Sequence, residues 1–61
     1  MFLALTRKEN NSEVLLNVEI VEKIEAIQGG CKIITGYEET IEVKESFKSI
    51  SEQLKAMGLS A

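Results

Sequence analysis

The 61-residue sequence contains no His, no Asp, no Pro and no Trp, and it has a single Cys. A lone Cys cannot close an internal disulfide, and without His or a second Cys the usual zinc ligand sets cannot be assembled. The missing imidazole also removes the commonest general base and every Ser/His/Asp or Cys/His nucleophilic set. Calcium loops rely on Asp-rich ligand spacing. All ten acids here are Glu, so Glu22 with Glu25, and Glu38 and Glu39 with Glu42, are read as solvated strand faces. The inventory points to a protein that is not an enzyme and uses no cofactor or metal.

Long apolar runs are missing too. Met1–Leu5 is far shorter than a signal-peptide core or a membrane span, and it leads into Arg7 and Lys8, not into a cleavage site. A cytoplasmic protein without membrane insertion is expected. Cys31 beside Lys32 fits a reducing compartment and is read as a small apolar side chain in a strand. Basic residues are sparse: seven Lys and Arg stand against ten Glu, for a net charge of −3. The acid excess falls on residues 18–46, the middle of the chain. Nucleic-acid binders cluster Lys and Arg against phosphate. Phe2, Tyr37 and Phe47 show no spacing suited to base stacking. Nucleic acid is therefore not the expected partner.

What is present describes a folding chain. Hydrophobic residues make up 44% and charged residues 28% of the sequence, with a mean hydropathy of +0.01, as in globular proteins. No repeat, low-complexity stretch or linker divides residues 1–61, which read as one small domain. A domain of this size buries only about 60% of the surface its unfolded chain exposes. With neither disulfide nor metal available, self-association is the expected supplement, giving a homo-oligomer.

Turn signals partition the chain. Residues 2–7 alternate weakly, with Phe2, Ala4 and Thr6 set against Leu3, Leu5 and Arg7. Glu9-Asn10-Asn11-Ser12 then forms a polar turn that returns residues 13–16 as a hairpin partner. Asn17 can cap a short helical turn over 18–20. Residues 18–27 admit two readings. Leu16, Ile20, Val21, Ile24 and Ile27 fall at helical spacing, with Gly29-Gly30 as a stop. Alternatively, residues 21–27 form a β-branched strand that ends at a glycine pair suited to a hairpin. The strand is preferred because 31–35 is a clear strand in need of a neighbour. Gly36 offers a positive φ for the next turn. Residues 39–44 then alternate, with Ile41 and Val43 inward and Thr40, Glu42 and Lys44 outward. Phe47, Ile50, Leu54 and Met57 form one stripe of an amphipathic helix over 47–57, with Ser46 as N-cap and Gly58 past its end. Five short strands in an antiparallel meander, followed by one C-terminal helix, make an α+β fold.

Three residues stand out as candidate protein contacts. Arg7 can hold a partner carboxylate bidentately or pair with one of the domain's own Glu side chains. Tyr37, at a turn tip, is either an exposed anchor or folded back on the sheet. Phe47 opens the apolar stripe of the helix. Gly29-Gly30 lacks the surrounding pattern of a phosphate-binding loop and is read as a turn.

Several short motifs run in a familiar order: Leu5-Thr6-Arg7, Leu16-Asn17, Val21-Glu22-Lys23-Ile24-Glu25, a turn at Gly36, and Val43-Lys44-Glu45-Ser46. In this the chain resembles the FlbD/SwrD-type small proteins of flagellar and swarming motility, over about residues 3–55. The resemblance supports the strand reading of 21–27. It implies a motility accessory that supports flagellar motor function by binding other proteins. The sequence departs from the family at Thr35-Gly36, where the family has Asn-Gly, and at Tyr37-Glu38-Glu39, where Lys is usual. The opening Phe2–Lys8 is also similar to the carbon storage regulators, small RNA-binding translational regulators. That family grips RNA with its first strand and a late basic stretch, where this chain has Glu42-Val43-Lys44-Glu45. A phage or mobile-element protein of the same fold with an unrelated partner is a third reading.

Overall fold

The computed structural model describes residues 1–59. In chain order it contains β1 (Phe2–Thr6), β2 (Glu13–Asn17), a single 3₁₀ turn (Val18–Ile20), β3 (Val21–Ile27), β4 (Gly30–Thr35), β5 (Thr40–Val43) and α1 (Phe47–Ala56). This is the α+β arrangement expected from the sequence. The last two residues of the expected tail, 60 and 61, lie outside the described residues.

The strands do not form one continuous meander. β1 and β2 make an antiparallel ribbon, and β3, β4 and β5 make a three-stranded antiparallel sheet. The 3₁₀ turn is what separates β2 from β3. Asn17 caps it, its side-chain oxygen accepting the Glu19 N–H at 3.0 Å, and the chain leaves β2 in a new direction. The two sheets meet elsewhere, at a bridge between Arg7 and Val43. There the Lys8 N–H donates to the Glu42 carbonyl and the Lys44 N–H to the Thr6 carbonyl, each at 2.9 Å. The first and last strands thus lie side by side.

β3 is a strand, although its apolar residues fall at helical intervals. A helix here would strip β4 of its neighbour; instead β3 pairs with β4 from Val21 opposite Thr35 to Ile27 opposite Gly30. The register shifts between Val21 and Lys23. Such a bulge moves the alternation by one residue, so Val21 and Ile24, three apart, both pack against the core. The helical spacing of Val21 and Ile24 is the imprint of this bulge.

The core consists of Leu3, Leu5, Leu16, Cys31, Ile33, Val43 and Ile50. β4 alternates strictly, with Cys31, Ile33 and Thr35 buried. α1 lies over this core, in contact with β1 and β3. The Ser46 hydroxyl caps the helix by accepting the Ser49 N–H at 3.1 Å. At the other end Gly58 has φ +77°. The Gly58 N–H donates to Lys55 and the Leu59 N–H to Leu54, each at 2.9 Å, which is the Schellman pattern.

The β3–β4 hairpin turns at the expected glycine pair, both of positive φ, +83° at Gly29 and +155° at Gly30, with Gly30 already the first residue of β4. A Cβ on Gly30 would sit 1.8 Å from the Val43 carbonyl oxygen. This glycine is there to admit a neighbouring backbone. In the β4–β5 turn the positive φ belongs to Glu38, at +64°, and not to Gly36. The turn is held by buried Thr35, whose hydroxyl accepts the N–H of Tyr37 and of Glu39, each at 3.3 Å. Glu38 is held left-handed without an intrinsic preference for that conformation.

Two substitutions test this description by chemical denaturation. Glu38→Gly relieves the left-handed strain, less the entropy glycine adds to the unfolded chain, and should stabilise by about 0.5–1 kcal/mol. Gly30→Ala should cost at least the roughly 1–3 kcal/mol typical of overpacking, because the clash is with main chain that cannot rotate away.

Candidate interaction surface

Alternation along the β1–β2 ribbon places Leu3, Leu5 and Leu16 in the core. It turns Phe2, Ala4 and Leu15 outward, with Phe2 55% and Leu15 72% exposed. Val14-Leu15-Leu16 is three apolar residues in a row. In a strand with one buried face, such a run must put its middle member in water. Leu15 lies opposite Ala4 in the pairing and diagonal to Phe2, close enough for the three to form one apolar patch.

The edges of this ribbon are unequal. On β1 the odd residues face β2: the Arg7 N–H donates to the Ser12 carbonyl at 2.8 Å, and the Met1 carbonyl accepts from Val18 at 2.9 Å. The even residues face the other way, and there each of Ala4, Thr6 and Lys8 has a partner. Lys8 bonds to Glu42 through the backbone. Thr6 donates its N–H to Oε1 of Glu45 and its hydroxyl to Oε2, both at 2.9 Å. Ala4 donates to Oε1 of Gln53 and accepts from its Nε2, both at 3.4 Å. A strand, a carboxylate and an amide thus close the β1 edge in succession.

β2 has no such cover. Thr6, which turns its backbone away from β2, pairs with Glu13, and Ala4, which does likewise, pairs with Leu15. In an antiparallel pair, opposed residues present their backbone groups to the same or to opposite edges together. The N–H and C=O groups of Glu13 and Leu15 and the N–H of Asn17 therefore point outward with no backbone partner among the described residues, whereas the Asn17 carbonyl opens the 3₁₀ turn that follows.

Glu45 and Cys31 have shifted acidities. Burial pushes the Glu45 carboxyl up, but the backbone N–H groups of Thr6 and Glu45 and the Thr6 hydroxyl outweigh it and hold the group below its usual range. Burial first, and then the nearby Glu45 charge, push the Cys31 thiol up, so it is poorly suited to act as a nucleophile.

The structure does not bring Arg7, Tyr37 and Phe47 together. Arg7 lines a cleft of about 340 Å³ with Lys8, Glu9, Thr40, Ile41 and Glu42, and among the described residues no carboxylate lies within salt-bridge distance of it. Tyr37 is 72% exposed at its turn, so it does not fold back on the sheet. Phe47 is 50% exposed, at the rim of a groove between β3 and α1 lined also by Val21, Ile24, Ile50 and Leu54. Among the described residues no three acidic or thiol groups converge; Glu25 instead faces Lys32 at 3.8 Å and Lys23 at 4.0 Å. No described helix is long and apolar enough to cross a membrane. Sequence reasoning passed over Leu15, Glu45 and Gln53, although the apolar triplet signals Leu15. The chain matches none of the protein-family models, curated proteins or solved structures with which it was compared.

Glu45 makes stability depend on pH. Its carboxyl is depressed below the ordinary value of 4.5, so its contribution is complete above that value and is lost as pH falls through the folded-state value. Glu45→Ala should cost about 1.5–3 kcal/mol at neutral pH, as for hydrogen bonds to a charged group. In urea melts the gap between wild type and Glu45→Ala should narrow as pH drops below 4.5; a gap independent of pH overturns this assignment.

Proposed function

We propose that this protein is a non-enzymatic interaction module that binds an extended segment of protein along β2. The observation that carries this reading is the uncovered β2 edge, three residues with outward backbone groups beside the exposed side chains of Leu15 and Phe2. Strand addition draws affinity from main-chain hydrogen bonds and selectivity from the alternating side chains. The resemblance to FlbD/SwrD-type proteins supports a motility accessory as the biological setting, with components of the flagellar motor as partners in the cytoplasm.

The RNA-binding reading has one observation in its favour. The Arg7–Val43 bridge sets the first strand beside the last, which brings Arg7 and Lys8 near Lys44. Against it, Glu9 and Glu42 line the same cleft and oppose a phosphate backbone.

Two measurements decide between these readings. In the host, deletion of the gene should reduce swarming; wild type should restore it, and a folded Leu15→Lys variant should not. Full restoration by Leu15→Lys removes β2 from the interface, and normal swarming of the deletion strain removes the motility setting. Short RNA titrated at two salt concentrations should show no saturable binding. Binding that weakens steeply with salt and is lost in Arg7→Ala or Lys44→Ala would replace this reading with the regulatory one.

A further inference from the structure

Among the described residues two strand edges, those of β2 and β3, are open, and they differ in how they are defended. β3 carries a bulge and the charged side chains of Glu22, Lys23 and Glu25, which are ordinary devices against edge-to-edge pairing. β2 reads Glu13-Val14-Leu15-Leu16-Asn17. It has no Lys, no Pro and no bulge, and five consecutive residues pair regularly with β1. An undefended edge beside exposed apolar side chains invites another strand.

The sequence of β2 specifies which strand fits. When it is laid antiparallel against a copy of itself, the outward groups of Glu13 and Leu15 and the N–H of Asn17 can all face the other copy in only one two-fold register, that centred on Leu15. There the Asn17 carbonyl is shared between its own 3₁₀ turn and the facing Glu13 N–H. Glu13 then faces Asn17 of the other copy, and Leu15 faces Leu15. No like charges are opposed. The Asn17 side-chain oxygen is already occupied by the Glu19 N–H, so its amide N–H₂ remains free to donate to the facing carboxylate. A register centred on Glu13 would oppose two carboxylates. A register centred on Val14 or on Leu16 would leave one of the three outward residues unpaired. On the outer face, Leu15 of each copy is flanked by Phe2 and Ala4, so the two apolar patches merge.

We propose that the occupant of the β2 edge is a second copy of this chain, paired β2 to β2 about a two-fold axis at Leu15. The proposal rests on the reading of β2 as a protein-binding edge. The interface is isologous, each patch binding its own image, and it joins the two β1–β2 ribbons into one four-stranded sheet. A contact of this length is small as stable interfaces go, so association is concentration dependent.

Site-directed cross-linking reads the register. Residues in a hydrogen-bonded antiparallel pair have Cα atoms about 5.5 Å apart, within the span of a disulfide. In a Cys31→Ser background, Leu15→Cys should form a covalent dimer on mild oxidation. Glu13→Cys and Asn17→Cys should each remain uncrosslinked alone and should cross-link when mixed. By sedimentation, wild type should move from 6.8 kDa toward twice that mass as its concentration rises through the micromolar range. Leu15→Lys and Leu15→Glu should each remain monomeric with unchanged circular dichroism, and an equimolar mixture should associate again. A wild-type monomer throughout this range, or Glu13→Cys cross-linking with itself, overturns the proposal. If wild type is monomeric and Leu15→Lys still abolishes swarming, the homodimer fails while β2 survives as an edge for a different partner. If Leu15→Lys changes neither mass nor swarming, both fail.

Discussion

Thr6 holds one end of the molecule to the other. Its carbonyl takes the N–H of Lys44, and its N–H and hydroxyl go to the two oxygens of Glu45. Through this residue β1 is fixed to the end of β5 and to the link that starts α1. Backbone groups left unpaired beside a core are costly, and the β1 edge runs along Leu3 and Leu5, both in that core. β5 is too short to pair with all of β1. The chain completes the edge with whatever the following residues can reach, first the Glu45 carboxylate and then the Gln53 amide. The position of the helix follows from this, since Gln53 must lie over Ala4 while Ile50 fills the core.

That closure also accounts for the asymmetry of the surface. Cover spent on β1 is not available to β2, and the 3₁₀ turn after Asn17 carries the chain away from the β2 edge before β3 begins. The acidity of the chain has a related distribution. Most Glu side chains are solvated, whereas Glu45 has a structural partner and a depressed acidity. The ion pairs of Glu25 with Lys23 and Lys32 lie at the surface, where such pairs contribute little. Among the described carboxylates, then, charge count says little about fold, and the position of one of them says a good deal.

Much of this was legible from residue order. Asn17, Ser46 and Gly58 mark their caps because each has a local mechanism that neighbouring residues do not disturb. β4 and β5 announce themselves by alternation. The β3 pattern is ambiguous because a bulge mimics helical spacing, and only the partner strand resolves it. The turn after β4 falls at residues 36–38 as expected, but the rule that glycine takes positive φ assigns the left-handed backbone to Gly36, whereas the Thr35 hydroxyl imposes it at Glu38. Leu15 could have been found from the apolar triplet. Glu45 and Gln53 could not, since their roles depend on residues 39 and 49 positions away in the chain.

Those separations bear on how the protein is made. β1 is synthesised before the residues that complete its second edge, Glu45 and Gln53, which follow it by 39 and 49 positions. Until Gln53 has been made, Leu3 and Leu5 lie beneath an edge that lacks its final partner, and Ile50 has only just been added to the core. Domains as a rule fold as whole units, and contacts this distant form slowly. The β1–β2 hairpin is therefore made well before its β1 edge can close, and that edge is completed only once Gln53 has joined the chain.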